Sequence, residues 1–265
     1  MFARINHIAI ISPQYAMLGK FYESLFGMKP GSSPPESAVS HTDGNVGLQI
    51  LPRRDGYIAG LDHFGILVDD LGTVETRMRA YEDAAMVKRP SSRPFAAYSA
   101  NDPDGNHFDL AEAHSENLKE VYAEDAREQD RWVNLYAVRT PHADRVADYY
   151  QEVFELAPVK QDPDDLGYTL SDGRVMLRVL PWSMTYFEGM AIKRPGPEHF
   201  GFHVDDLGTF RSDLARLTGG NTLLAPVALG GSAESDVRRR LFESGARGKL
   251  QIADTDGVWI DITDE

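Results

Sequence analysis

The sequence predicts an α+β protein that is built from four copies of one strand–helix–strand unit. The sequence LDHFG at residues 61–65 returns as PEHFG at residues 197–201, and VDDLGT follows shortly after each of them. The opening segment repeats as well, because INHIAI at residues 5–10 matches VNLYAV at residues 133–138 with an offset of 128. A repeat at a fixed spacing indicates tandem structural units.

The first unit begins with a strand over residues 7–11, which Ser12 and Pro13 interrupt. A helix follows, because apolar residues recur at helical spacing up to Gly27. The turn sequence DGN at 43–45 then leads into a strand over residues 46–51. The third unit, from Val133, repeats this order of elements.

The second unit begins with a strand over residues 62–68 and continues with a helix from about Leu71. It closes with the turn DPDG at 102–105 and a strand over residues 107–110. The fourth unit repeats this order from Glu198. We therefore predict a first domain over residues 1–113, a helical linker over 114–130 and a second domain over 131–265.

The fourth unit is longer than the second. From Phe200 to Asp256 it contains 16 more residues than the second unit has from Phe64 to Asp104. The extra residues lie around 226–248. We expect a solvated surface loop with a short helix, and a mobile lid or a dimer arm is the alternative.

Composition excludes several classes of partner. The formal net charge of −14 argues against binding to nucleic acid or to an anionic membrane surface. The chain has no cysteine, so a metal site would need histidine, carboxylate or amide ligands. No apolar run reaches membrane-spanning length, and the N-terminus does not have the pattern of a signal peptide. We predict a cytoplasmic protein that acts on a small molecule, with a homodimer as one option for its assembly.

Four motifs in order resemble those of the vicinal oxygen chelate superfamily, which includes glyoxalase I, bleomycin-binding proteins and extradiol dioxygenases. They are NHIAI at 6–10, FYESLFGM at 21–28, LDHF at 61–64 and DPDGN at 102–106. The resemblance covers essentially the whole chain. It implies tandem βαβββ modules that form two domains, each an incomplete barrel around a small ligand.

The resemblance also implies a metal site on the first and last strands of a module pair. The corresponding residues are His7, His63 and Asp109, with Gln49 as a weaker fourth ligand. Two imidazoles and one carboxylate form a facial triad that leaves coordination positions open. Asp109 departs from the family pattern, which usually has glutamate there.

The second half lacks two of these ligands, because Leu135 and Arg178 replace the histidine and the glutamine. Only His199 and Asp261 remain, so we expect this half to be a scaffold or to bind an anionic group without metal. Pairing of the first module with the fourth is a second possibility. It would give the triad His7, His199 and Asp261.

The expected cofactor is a divalent metal, with Fe(II) first and Mn, Ni or Zn as alternatives. The leading hypothesis is an Fe(II) extradiol-type dioxygenase in which Tyr98 and His107 act in catalysis, with His41 as another acid–base candidate. The alternatives are a non-redox lyase or isomerase and a metal-free binding protein. The aromatic residues Trp182, Tyr186 and Phe187 support the last alternative.

Overall fold

The computed structural model describes most of the chain. The described residues are 2–31, 38–82, 84–89, 96–113, 129–160, 165–183 and 194–265. Most of the predicted linker helix over 114–130 lies outside these ranges, as do Tyr186 and Phe187. The domain limits at 113 and 131 therefore stay predictions.

The described residues of the first half form eight strands and two helices. They are β1 (Ala3–Ser12), α1 (Tyr15–Phe26), β2 (Lys29–Pro30), β3 (Val39–Thr42), β4 (Gly47–Pro52), β5 (Gly60–Val68), α2 (Leu71–Glu82), β6 (Val87–Lys88), β7 (Tyr98–Asn101) and β8 (His107–Glu112).

The second half repeats this order and adds two helical segments. Its elements are β9 (Trp132–Thr140), α3 (Ala143–Phe154), β10 (Ala157–Pro158), β11 (Tyr168–Ser171), β12 (Met176–Pro181), β13 (Gly196–His203), α4 (Leu207–Gly220), a 3₁₀ helix (Thr222–Leu224), α5 (Ala233–Gly245), β14 (Leu250–Ala253) and β15 (Trp259–Thr263).

Each half forms one sheet that does not close on itself. The first has the order β2-β3-β4-β1-β5-β8-β7-β6, and the second has the order β10-β11-β12-β9-β13-β15-β14. Within each sheet the two modules meet at an antiparallel pair, which is β1 with β5 and β9 with β13. The predicted α+β fold of tandem βαβββ modules is therefore confirmed, and consecutive modules share a sheet.

Helices α1 and α3 pack between the two sheets and form one continuous core with them. On one side the ring of Phe26 in α1 stacks on Phe202 in β13, with 3.9 Å between the ring centroids. On the other side Tyr150 in α3 contacts Phe64 in β5, at 5.9 Å. All four side chains are buried. Burial of one aromatic side chain contributes roughly 1.5–3 kcal/mol, so both halves depend on this shared core.

Reciprocal hydrogen bonds join the halves. The backbone N–H of Val133 donates to Asp43 Oδ2 over 2.8 Å, and the N–H of Ile5 donates to Asp172 Oδ2 over 2.7 Å. These aspartates occupy the same turn in the two halves. Each turn therefore fixes the first strand of the other half.

The face of each sheet that points away from the helices, here called the far face, has its own small apolar clusters. Leu67 and Ala111 form one cluster on the first sheet, and Leu135, Ala137 and Leu180 form another on the second. Among the described residues, no helix is both long enough and apolar enough to cross a bilayer.

The extra segment of the fourth unit contains the expected short helix, and most of its residues are at least partly exposed. This helix is α5, and its Phe242 is fully buried. The Phe242 ring stacks on Trp259 of β15 and contacts His199 of β13, with 4.8 and 4.9 Å between centroids. Helix α5 therefore covers part of the far face of the second sheet, a contact that the sequence did not predict.

Candidate metal centre

Three predicted ligands converge on the far face of the first sheet. His7, His63 and Asp109 lie on three neighbouring strands, β1, β5 and β8. The Nε2 atoms of His63 and His7 lie 3.2 and 3.9 Å from Asp109 Oδ2. All ligand atoms of this group lie within 4.8 Å of one another. The three residues are 1%, 4% and 3% exposed, so the group is almost dry.

Two β-bulges orient the histidines. Asn6 is the extra residue where β1 passes β5, and Asp62 is the extra residue on β5. A bulge turns a side chain away from the regular alternation of a strand. As a result, Asn6 Oδ1 lies 2.9 Å from His7 Nδ1 and Asp62 Oδ2 lies 2.6 Å from His63 Nδ1. An acceptor at Nδ1 places the proton there and directs Nε2 toward the centre, as for a ligating imidazole.

Gly65 makes room for the ring of His7. It lies in register with His7 on one side and with Asp109 on the other. A Cβ atom at this position would lie 1.9 Å from His7 Cε1. A larger residue is therefore incompatible with the observed position of the ring.

The second oxygen of Asp109 is held by other side chains. Ser99 Oγ donates a short hydrogen bond to Asp109 Oδ1, and His107 Nε2 lies 3.5 Å from the same oxygen. Arg89 donates to Ser99 and lies 3.4 Å from His107 Nε2. The carboxylate is thereby fixed with Oδ2 toward the two histidines.

Electrostatics favour an anionic carboxylate and one neutral imidazole. Burial lowers the pKa of His7 to about 3, with a further contribution from the positive charge of His63. Burial opposes the charge on His63 as well, but hydrogen bonds to Asp109 and Asp62 raise its pKa to about 9. Despite its burial, hydrogen bonds from His107 and His63 hold the pKa of Asp109 well below its usual range.

This donor set fits a divalent metal ion. Two imidazole nitrogens and one carboxylate oxygen are ligands that first-row divalent metals accept, and three protein ligands leave positions for substrate. An ion bound here would also neutralise the buried Asp109 carboxylate, which otherwise depends on His63 for a counter-charge.

The comparisons with known proteins agree with this architecture. Residues 4–110 match the sequence model of the Glyoxalase/Bleomycin resistance protein/Dioxygenase superfamily. The resemblance to vicinal oxygen chelate proteins is thus confirmed. No curated protein gives a significant sequence match.

Solved structures of this superfamily type align with almost the whole chain. An extradiol ring-cleaving dioxygenase from B. fuscum has a TM-score of 0.67 at 13% identity, over 98% of this chain and 71% of that one. An Mn(II)-bound glyoxalase from Novosphingobium aromaticivorans has a TM-score of 0.67 at 12% identity, over 99% and 82%. A variant of 4-hydroxymandelate synthase from Streptomyces coelicolor has 0.64 at 14%, over 98% and 92%. At these identities the similarity concerns the fold.

The corresponding positions of the second half are filled by the chain itself. Asp261 accepts hydrogen bonds from the backbone N–H groups of Arg247 and Gly248 and from Gln251. Arg178 donates to Asp165 and to the carbonyl of Gly245. The charge of Arg178 is thus neutralised by Asp165.

The triad of the first half is formed within one sheet. His199 and Asp261 belong to the other sheet, on β13 and β15. Pairing of the first module with the fourth, which would combine His7 with these two residues, is therefore not observed.

Of the other predicted site residues, some lie on the same face of the sheet as the triad and others do not. Gln49 is in register with Ala9, so it shares the far face with His7. His107 borders the group, with a side chain that is 35% exposed. Tyr98 is in register with Leu110 and packs against the core, so the structure does not bring it to the site. His41 is also directed away, because it packs against α1 beside Glu23.

Sequence reasoning missed Ser99, Arg89, Asn6 and Asp62. Ser99 takes the place beside Asp109 that Tyr98 was expected to have, since neighbouring residues of a strand point to opposite faces. A usable signal existed for two of the others. Asn6 of the first half has Asn134 as its counterpart. An acidic residue precedes the histidine in both halves, Asp62 before His63 and Glu198 before His199.

Proposed function

We propose that this protein is a metal-dependent enzyme that acts on a small molecule with vicinal oxygens. His7, His63 and Asp109 hold the divalent metal in this proposal. The observation that carries it is the convergence of two Nε2 atoms and one carboxylate oxygen in a buried group, with both imidazoles oriented through Nδ1. Gln49 is proposed as a weaker fourth ligand.

The metal would supply electrophilic chelation of the two substrate oxygens. The protein side chains have separate tasks. Ser99 and His107 fix the carboxylate of Asp109. His107 is the partly exposed residue of this group, so we propose it as the residue that exchanges protons with the substrate.

The leading reaction is Fe(II)-dependent ring cleavage by dioxygen. Two histidines and one carboxylate with open positions are the ligand set of non-haem Fe(II) oxygenases. The similarity in fold to an extradiol ring-cleaving dioxygenase supports this choice.

A non-redox isomerase or lyase is the second candidate. The position of Tyr98 favours it, because the tyrosine expected of an extradiol enzyme packs in the core. The similarity in fold to an Mn(II)-bound glyoxalase supports the same reading, with Mn, Ni or Zn as the metal.

Metal binding is tested first, by metal analysis and by titration of the metal-free protein with Co(II) and, without oxygen, with Fe(II). We expect His63→Ala to abolish binding at micromolar metal, because one histidine and one carboxylate are too weak a remnant. His199→Ala is the matched control, since His199 is the equivalent residue of the other half. It should bind metal like the parent protein.

A parent protein that binds no metal would sink the proposal and leave a metal-free binding protein. If the parent binds metal, oxygen uptake with catechols separates the two reactions. Uptake with Fe(II) supports ring cleavage, whereas turnover of an α-keto hemithioacetal with Mn(II) or Ni(II) supports isomerisation. A cytoplasmic location and a homodimer stay predictions.

A further inference from the structure

A cleft lies where the two halves meet, with a volume of ≈ 280 Å³. Gly60 and Leu61, at the start of β5, line it from the first half. Arg139 and Trp259 line it from the second sheet, and Arg238 of α5 closes one side. None of the three triad residues lines it.

The cleft contains three arginines and two carboxylates, of which Glu198 pairs with Arg139 and Asp256 accepts a hydrogen bond from Ser12. Arg139 is buried and paired with Glu198, so its charge is neutralised. Arg194 and Arg238 are exposed, and neither makes a hydrogen bond or an ion pair with the described parts of the chain. On the same helix, by contrast, Arg239 pairs with Glu243.

The cleft also has open space at two of the glycines that line it. Gly196 and Gly257 line it, and a Cβ atom at either position would meet nothing within 4 Å. A rigid wall is present as well, because Trp259 stacks on Phe242 with an interplanar angle of 11°.

We propose that this cleft is a metal-free binding site for a small organic oxyanion, which is held by Arg194 and Arg238. Guanidinium groups recognise carboxylate and phosphate oxygens with paired, charge-assisted hydrogen bonds. Trp259 offers an aromatic surface to the organic part of the ligand. A carboxylate and a phosphate ester share this chemistry.

The overall charge makes the local arrangement informative. A chain with a net charge of −14 repels anions, so a cleft lined by two cationic side chains that form no ion pair within the described ranges is a local exception. The site does not depend on the proposed metal centre. His63→Ala should therefore leave its affinity unchanged, which separates failure of this inference from failure of the proposed function.

The test is calorimetric titration of the protein, in the presence of a chelator, with benzoate in one arm and inorganic phosphate in the other. Fluorescence of the tryptophans is followed in parallel. Arg194→Gln and Arg238→Gln should each weaken binding by about tenfold or more, since each removes charge-assisted hydrogen bonds. Arg240→Gln is the matched control, because Arg240 is exposed on the same helix but does not line the cleft.

Tighter binding of benzoate identifies a carboxylate as the ligand class, and tighter binding of phosphate identifies a phosphate ester. The proposal is overturned if neither anion binds at concentrations up to about 10 mM. A Kd above that value would correspond to a binding free energy of less than about 3 kcal/mol. An equal loss of affinity in Arg240→Gln also overturns the proposal, because binding would then reflect general electrostatics.

Discussion

At the scale of single residues, the arrangement of the candidate centre depends on small neighbours as much as on the ligands. His7, His63 and Asp109 were identified through the resemblance to a family whose metal ligands lie on the first and last strands of a module pair. The sequence did not reveal that Ser99 contacts Asp109 whereas Tyr98 faces the core. That distinction depends on the pairing register of β7 with β8, which no local signal in either strand specifies.

Gly65 provides the first prediction at this scale. In Gly65→Ala the new methyl group would overlap the His7 ring, so the ring must move away from the centre. We expect metal affinity to fall by about 10- to 100-fold while the fold is retained, which is the range seen when the support of a ligand is lost. Co(II) titration followed by absorption spectroscopy measures this effect.

Gly201→Ala is the control for that experiment. Gly201 is the equivalent glycine of the second half, where the nearest atom to a new Cβ would be Asn134 Oδ1 at 2.9 Å. This variant should keep the metal affinity of the parent protein. Equal losses in both variants would show that the effect comes from general destabilisation rather than from His7.

At the scale of elements, the two halves have β-bulges at equivalent positions, although only the first half has the candidate metal ligands. The second sheet has extra residues at Asn134 and Glu198, where the first has Asn6 and Asp62. The strands and helices were predictable, because their periodicity and turn residues are strong. The packing of α5 on the second sheet was not predictable, because the sequence of a helix of mixed polarity does not indicate which surface its few apolar residues contact. Phe242 supplies that contact.

The contact of α5 gives the second prediction. Phe242→Ala should lower the free energy of unfolding by about 3–5 kcal/mol, because it leaves a cavity between Trp259 and His199. Metal binding in the first half should be unchanged. Urea denaturation of the metal-free protein measures the loss. Leu223→Ala is the control, because this side chain is 66% exposed, and it should lower the free energy of unfolding by less than about 1 kcal/mol. Similar losses in both variants would mean that α5 is not packed as described.

At the scale of the whole molecule, buried aspartates couple the halves. The hydroxyl of Tyr22 donates to Asp254 across the interface over 2.7 Å, and Tyr150 contacts Asp102 in the equivalent place over 3.3 Å. The sequence marked both aspartates as turn residues, and they do form turns. Their second role could not be read from the sequence, because it depends on how the two sheets pack.

This coupling predicts a pH dependence of stability. Burial raises the pKa of Asp254 to about 6, above its value of about 4 in the unfolded chain. The folded state therefore holds the proton more tightly, and the contribution of Asp254 to stability is lost as the pH rises from about 4 to about 6, by at most about 3 kcal/mol.

The measurement compares Asp254→Asn with the parent protein by urea denaturation at several pH values in the presence of a chelator. The free energy of unfolding of the parent minus that of the variant should fall between about pH 4 and pH 6. A flat difference for Asp254→Asn would contradict the coupling.

The reciprocal bonds of Asp43 and Asp172 also bear on how the chain can evolve. In a symmetric dimer of identical subunits every substitution occurs twice, so a ligand cannot be lost from one site alone. Two such units within one chain are free of that restriction. The aspartates keep the same task in both copies, whereas His7 has Leu135 as its counterpart. Duplication thus permits one copy to specialise without loss of the contacts that hold the pair together.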